Sequence, residues 1–203
     1  MVYRQNSLAM LEEALALLGQ ALELDKSYIF AKALTCSAHT GALAARWSTF
    51  EQARAAMPLA REVLDSGTDD PTALAFAGHY IAYVGKDLQR GMTALKQAKK
   101  LNPNSAVVLM LPGWLHNYAD ENEAAMRYLH RVQRISPLHP QIGIATCGLG
   151  HALMQSGDLD GAVKYYEKAM TEYPEFATTQ LDLMGCYWGL GRKGESTQMA
   201  EWY

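Results

Sequence analysis

The feature that most constrains this chain is a spacing. In the stretch "GHALMQSGDLDGAVKYYEKAMTEYP", Gly150 to Pro174, two glycines stand seven apart, followed by Ala162, Tyr166 and Ala169, spaced by four and three. Steps of four and three put side chains on one face of a helix. The same small/large/small triplet recurs upstream at Ala125, Leu129 and Val132, at Gly91, Leu95 and Ala98, at Ala53, Met57 and Ala60, and at Ala14, Leu18 and Ala21. Downstream it fades into Ser196, Ala200 and Tyr203. The first members fall at positions 14, 53, 91, 125, 162 and 196, a period drifting between 34 and 39 residues. Such drift, with loops absorbing the extra residues, is the behaviour of stacked helical repeats.

The other half of each unit carries paired glycines: Gly78 with Gly85, Gly150 with Gly157, and a shorter version at Gly185 and Gly191. A glycine inside a helix costs about 1 kcal/mol against alanine, so the first of each pair implies close helix approach. The second falls where a helix must stop, and glycine takes positive φ there cheaply. Pro71, Pro103, Pro140 and Pro174 are expected to start the next helices, with Asp70 and Asn102 as caps. The resulting map has helices near 7–24, 28–45, 48–66, 71–84, 87–101, 104–119, 121–135, 140–156, 159–172, 175–189 and 192–203. Pro58 should kink its helix or delay its start, and Pro112 should interrupt the sixth helix in the same way. No alternating strand pattern competes with this all-α reading. No linker-like segment divides it, so the chain reads as one array over 1–203, degenerate over 1–69 and clearer over 70–203.

Composition narrows the function classes. A net charge of −3 and a pI near 6.1 disfavour nucleic acid and membrane surfaces as partners. The densest basic cluster, Lys96, Lys99 and Lys100, closes a helix, where cations suit the dipole. Cys36, Cys147 and Cys186 stand far apart and read as reduced, buried thiols of a cytoplasmic protein. The longest apolar run, Ala106 to Leu115, is too short to span a bilayer.

The spacing resembles the tetratricopeptide repeat, whose pattern W-x2-L-G-x2-Y, then A-x3-F, then P, fits best over 143–176. Leu149, Gly150, Ala162, Tyr166, Ala169 and Pro174 match it, while Thr146 and Leu153 replace its aromatic positions. The preceding unit keeps Gly113, Ala125, Leu129 and Pro137 but has Pro112 in place of the leucine. The last keeps Tyr187 and Gly191 but has Met184 where the first glycine belongs. The resemblance implies a right-handed superhelix, an α-solenoid of helix-turn-helix pairs. A narrower resemblance joins "DDPTALAFAGHYIAYVGKDLQRGMTALKQAKKLNPNSA", the following "GW" and "ISPLHP" to the helical tails of bacterial class III adenylate and guanylate cyclases and of related winged-helix regulators. It implies a non-catalytic regulatory tail, a C-terminal fragment of a longer signalling protein. The alternatives are a free-standing adaptor that binds a peptide and, from another class, an enzyme using groove histidines.

In this family the first helix of each pair lines a concave groove. Carried onto this sequence, the groove holds His79 and Tyr83, then Met110, Trp114, Asn117 and Tyr118, then Cys147, His151, Met154 and Gln155, with Trp188 from the last unit. Aromatic anchors beside adaptable methionines suit a protein or peptide ligand. Family members that grip the carboxy-terminal tails of chaperones use lysine, arginine and asparagine there, and only Asn117 answers to that. A homodimer through the end helices is the other partner to consider.

Chemistry finds less support. His79 and His151 occupy equivalent positions two units apart, too far to converge on a zinc ion at ordinary helix spacing. Cys147 and His151 lie one turn apart, but no orienting group or oxyanion site accompanies them as covalent catalysis requires. "GLGRKGES" (189–196) lacks the spacing and the preceding strand of a phosphate loop. The expectation is no catalytic residue, no cofactor and no metal.

Overall fold

The computed structural model describes residues 8–202, and every regular element among them is helical. The α-helices are α1 (Leu8–Leu24), α2 (Ile29–Ala44), α3 (Phe50–Ala53), α4 (Met57–Asp65), α5 (Pro71–Tyr83), α6 (Leu88–Leu101), α7 (Ala106–Tyr118), α8 (Asn122–Ile135), α9 (Ile142–Gln155), α10 (Leu159–Glu172), α11 (Ala177–Gly189) and α12 (Lys193–Trp202). The first position of the expected first helix and Tyr203 of the last triplet lie outside the described residues. The chain divides into two compact units, Met1–Leu111 and Pro112–Tyr203.

Local chemistry explains most boundaries. Asp70 caps α5 through Oδ1, which accepts from the amides of Thr72 at 2.8 Å and Ala73 at 2.9 Å, with Pro71 in the first turn. Asp87 and Asp158 cap α6 and α10, accepting from the amides of Arg90 and Gly161. Thr49 and Gln52 form a capping box at the start of α3. Pro103, Pro140 and Pro174 do not begin helices: they lie in turns, and α7, α9 and α11 start two or three residues later.

The expected 48–66 helix is broken by a 3-10 turn over Arg54–Ala56, and α4 restarts with Pro58 in its first turn, where the missing N–H is harmless. Pro112 behaves differently, because α7 runs through it without interruption. A proline inside a helix costs about 3 kcal/mol. Here Val108, Leu109, Trp114 and Leu115 are all buried, and burying one such side chain returns about 1.5–3 kcal/mol.

In the first unit the core is alanine-rich. Ala33, Cys36, Ala53, Ala56, Ala60, Ala73 and Ala77 let α2, α4 and α5 approach closely around Tyr80, Ile81, Val63 and Val84. The Tyr80 hydroxyl donates to the carbonyl of Ala53, tying α5 to α3. Lys32 is buried and pairs with Glu62 at 2.6 Å, joining α2 to α4. Gly78 and Gly91 face each other across α5 and α6: a Cβ on Gly78 would meet the Ala94 Cβ at 2.8 Å, and one on Gly91 would meet the Gly78 carbonyl oxygen. The triplet at Ala14, Leu18 and Ala21 is not buried, and α1 has no buried residue at all.

In the second unit the triplets Ala125–Leu129–Val132 and Ala162–Tyr166–Ala169 are fully buried, as their spacing predicts. Gly150 sits against the Tyr166 ring, which a Cβ would meet at 2.9 Å. Gly185, the corresponding glycine of the last pair, has nothing within 4 Å, so close approach does not account for it. Ser196 is buried and its hydroxyl donates to the Met184 carbonyl, whereas Ala200 is exposed.

Candidate functional site

The helices α7, α9 and α11 come first in their pairs, and the face they share in the second unit carries an aromatic and polar cluster. Trp114 is buried at 5% exposure, with its ring centroid 5.8 Å from Tyr118, 5.8 Å from His151 and 6.0 Å, edge-on, from Phe176. His151 turns Nδ1 toward Asp182 Oδ2 at 3.0 Å, and the Tyr166 hydroxyl donates to the same oxygen at 3.1 Å. The line from Trp114 through His151 to Asp182 thus crosses three helices, with Tyr166 supporting it from α10. Burial, then the negative charge of Asp182, pushes the Tyr166 hydroxyl well above the ordinary tyrosine range.

The remaining expected residues of this unit divide between lining and packing. Asn117 is fully buried: its Nδ2 donates to the Gly148 carbonyl at 2.9 Å, while its Oδ1 has no partner. Gln155 is exposed and donates to the Asn117 carbonyl and to Asp120. Met154 places its sulfur 3.8 Å from the Tyr166 hydroxyl oxygen. Cys147 is buried, and its thiol is raised well above the ordinary range, chiefly by that burial. Tyr118 and Trp188 are open, at 45% and 61% exposure. The structure does not bring Trp188 onto the aromatic cluster; its ring lies under Lys193, with Nζ 5.2 Å from the centroid.

In the first unit His79 is buried and stacks on Tyr83 at 5.8 Å, and Met110 is buried. Tyr83 meets Phe50 at 5.5 Å, and the Lys86 ammonium lies 4.5 Å from the Phe50 centroid and 5.2 Å from that of Tyr83. Burial pulls the His79 imidazole down to about 4 from its ordinary 6.5, so at neutral pH the ring is uncharged.

Sequence reasoning passed over Asp182 and Phe176. The signal for Asp182 lies in composition by helix. Helices α5, α7, α9 and α11 together hold no lysine, arginine or glutamate, and Asp182 is their sole aspartate. Phe176 precedes α11 in a turn, and no helical spacing marks it.

Among the described residues no group of three or more His, Cys, Asp or Glu is placed to hold a metal ion, and no helix is long and apolar enough to cross a membrane.

The tetratricopeptide repeat family model matches residues 153–200, from the end of α9 into α12. No curated protein sequence matches. Among solved structures, a tetratricopeptide protein of Thermus thermophilus is similar with a TM-score of 0.67 at 16% identity, over 89% of this chain and 92% of its own. PilF of Pseudomonas aeruginosa gives 0.61 at 16%, over 84% and 73%. The human IFIT1 dimer with PPP-AAAA gives 0.77 at 14%, over 93% of this chain but only 45% of its own. At these identities the likeness is one of fold. The chain has the all-α fold of tetratricopeptide solenoids, built of helix-turn-helix pairs, and its residues 153–200 match that family's model.

Proposed function

We propose that this chain is a non-catalytic protein-interaction module that takes a polypeptide segment on the face that α7, α9 and α11 share in its second unit. The observation that carries the reading is the near absence of charge from α5, α7, α9 and α11, combined with open aromatics at Tyr118 and Trp188. Large rigid rings on helices with almost no charge of their own are the composition of interface anchors. A nucleic acid, as in the IFIT1 complex, needs several cations for its phosphates; these helices supply none of their own, although Lys86 and Lys193 stand beside the rings of Tyr83 and Trp188. The same reading keeps the eleven expected residues as ligand-facing, unit by unit: in the second unit Tyr118, His151, Met154, Gln155 and Trp188 as the accessible part and Trp114, Asn117 and Cys147 as the floor, and in the first unit, by themselves, His79, Tyr83 and Met110.

The finer reading is that the chain is one array forming the tail of a cytoplasmic, bacterial signalling protein of the cyclase type. The resemblance of residues 69–106 to such tails supports it. A free-standing adaptor is the alternative, and the gene sequence upstream of Met1 separates the two: a cyclase or winged-helix domain there favours the first. The binding role is tested by the double variant Tyr118→Ala/Trp188→Ala, which leaves the core intact. It should lose a peptide, selected on the native chain, that the α8 control Arg127→Ala retains. Equal retention by both would sink the reading. Nucleotide turnover by the purified chain would overturn its non-catalytic assignment.

A further inference from the structure

The geometry points to a basic side chain, lysine or arginine, as the feature this face recognises in its partner, with Asp182 Oδ1 as its acceptor. The inference rests on the protein-binding reading and adds the chemistry of the ligand. Asp182 is the one residue with a formally charged side chain at neutral pH, histidines aside, on α5, α7, α9 and α11. Both internal bonds to its carboxylate, from His151 and from Tyr166, converge on Oδ2. Oδ1 carries no bond among the described residues and is not among the fully buried atoms left without partners, so it keeps some contact with solvent. A carboxylate accepts several donors, and a third from an ammonium or guanidinium group fits the vacant oxygen.

The surroundings favour that occupant over an anionic or apolar one. Asp182 is 19% exposed, so a cation arriving there meets the carboxylate through less water than at an open surface. The Trp114, Tyr118 and Phe176 rings lie next along the line from His151, and rings of this kind suit a basic side chain's stem and charge. An acidic segment would face the only charge on these helices with the wrong sign. The Tyr166 and His151 bonds hold the carboxylate in place before the ligand arrives, which reduces the ordering required on binding.

The experiment is selection of a randomised dodecapeptide library on the immobilised full chain, followed by affinity measurement with synthesised winners. The expected winners share a lysine or arginine at one position. Replacing it by glutamine, or introducing Asp182→Asn in the protein, should each weaken binding about tenfold or more, and the two together no further. The peptide-side replacement uses the native chain, so it stands even if Asp182→Asn disturbs folding, which far-UV circular dichroism would report. Winners without a recurrent basic residue overturn this inference. So does full affinity in a folded Asp182→Asn variant while Tyr118→Ala abolishes binding, and that result leaves the protein-binding reading intact. A library that yields no binder sinks both.

Discussion

The hydroxyl of Tyr166 lies 3.1 Å from Oδ2 of Asp182, binding α10 to α11 through a carboxylate that is mostly shielded from water. Tyr166→Phe keeps the ring, and so the packing against Gly150, but removes the donor. A hydrogen bond to a charged group is worth about 1.5–3 kcal/mol, and the residual exposure of Asp182 places this one near the lower end. Urea denaturation should therefore show a loss of about 1.5 kcal/mol with an unchanged slope. A loss of only a few tenths would mean that water replaces the hydroxyl.

Gly78 and Gly185 hold the same kind of position in two repeats but differ in what surrounds them. Gly78→Ala puts a methyl group 2.8 Å from the Ala94 Cβ and 3.0 Å from the Gly91 carbonyl oxygen, which should cost about 1–3 kcal/mol. Gly185→Ala enters open space inside a helix and should gain about 0.5–1 kcal/mol. Thermal melts of the two variants should move in opposite directions. The same direction for both would mean that the helix approach described for α5 and α6 is not a constraint.

Burial holds the imidazole of His79 neutral to about 4, against an ordinary 6.5. The unfolded chain therefore binds a proton that the folded chain does not, and stability falls as pH drops through that window. The contribution of this one residue is on the order of 3 kcal/mol, present above pH 6.5 and gone below about 4. Unfolding free energies at several pH values should fall less steeply over that range in His79→Phe than in the native chain. Parallel profiles would show that burial does not lower the His79 imidazole in the folded chain.

Arg46 ends α2 with φ of 60°, and its neighbours make the paired helix-end bonds from the amides of Arg46 and Trp47 to the carbonyls of Leu43 and Ala42. That conformation favours glycine. Arg46→Gly should raise stability by about 0.5–1 kcal/mol, a melting shift of about 1–4 °C for a chain of this size. No gain would indicate that the arginine side chain makes a compensating contact.

Much of the fold was legible in the sequence because its period is carried by small residues that pack against one another. Ala162, Tyr166, Ala169, Ala125, Leu129 and Val132 are all buried where their spacing puts them. The prolines misled where a turn intervenes: only Pro71 combines with a cap at the first helical position. Pro112 misled because burial of its neighbours outweighs one lost backbone bond. The second-unit cluster was half visible. Trp114 and His151 follow from helical position, but their joining to Asp182 depends on how α9 and α11 are rotated about their axes. Phe176 enters from a turn, beyond the reach of any helical spacing.

The glycine turns were expected at 85, 157 and 191, yet at the first of these the left-handed residue is Lys86, and in the next unit it is Asp120. Taken by conformation, the turns inside successive helix pairs fall at Lys86, Asp120, Gly157 and Gly191. The beat of these helix pairs is thus kept by a backbone dihedral rather than by a letter. A profile built on residue types misses it at Lys86 and Asp120. A dihedral read from the structure would phase every helix pair from α5 onward without reference to which amino acid happens to occupy the turn.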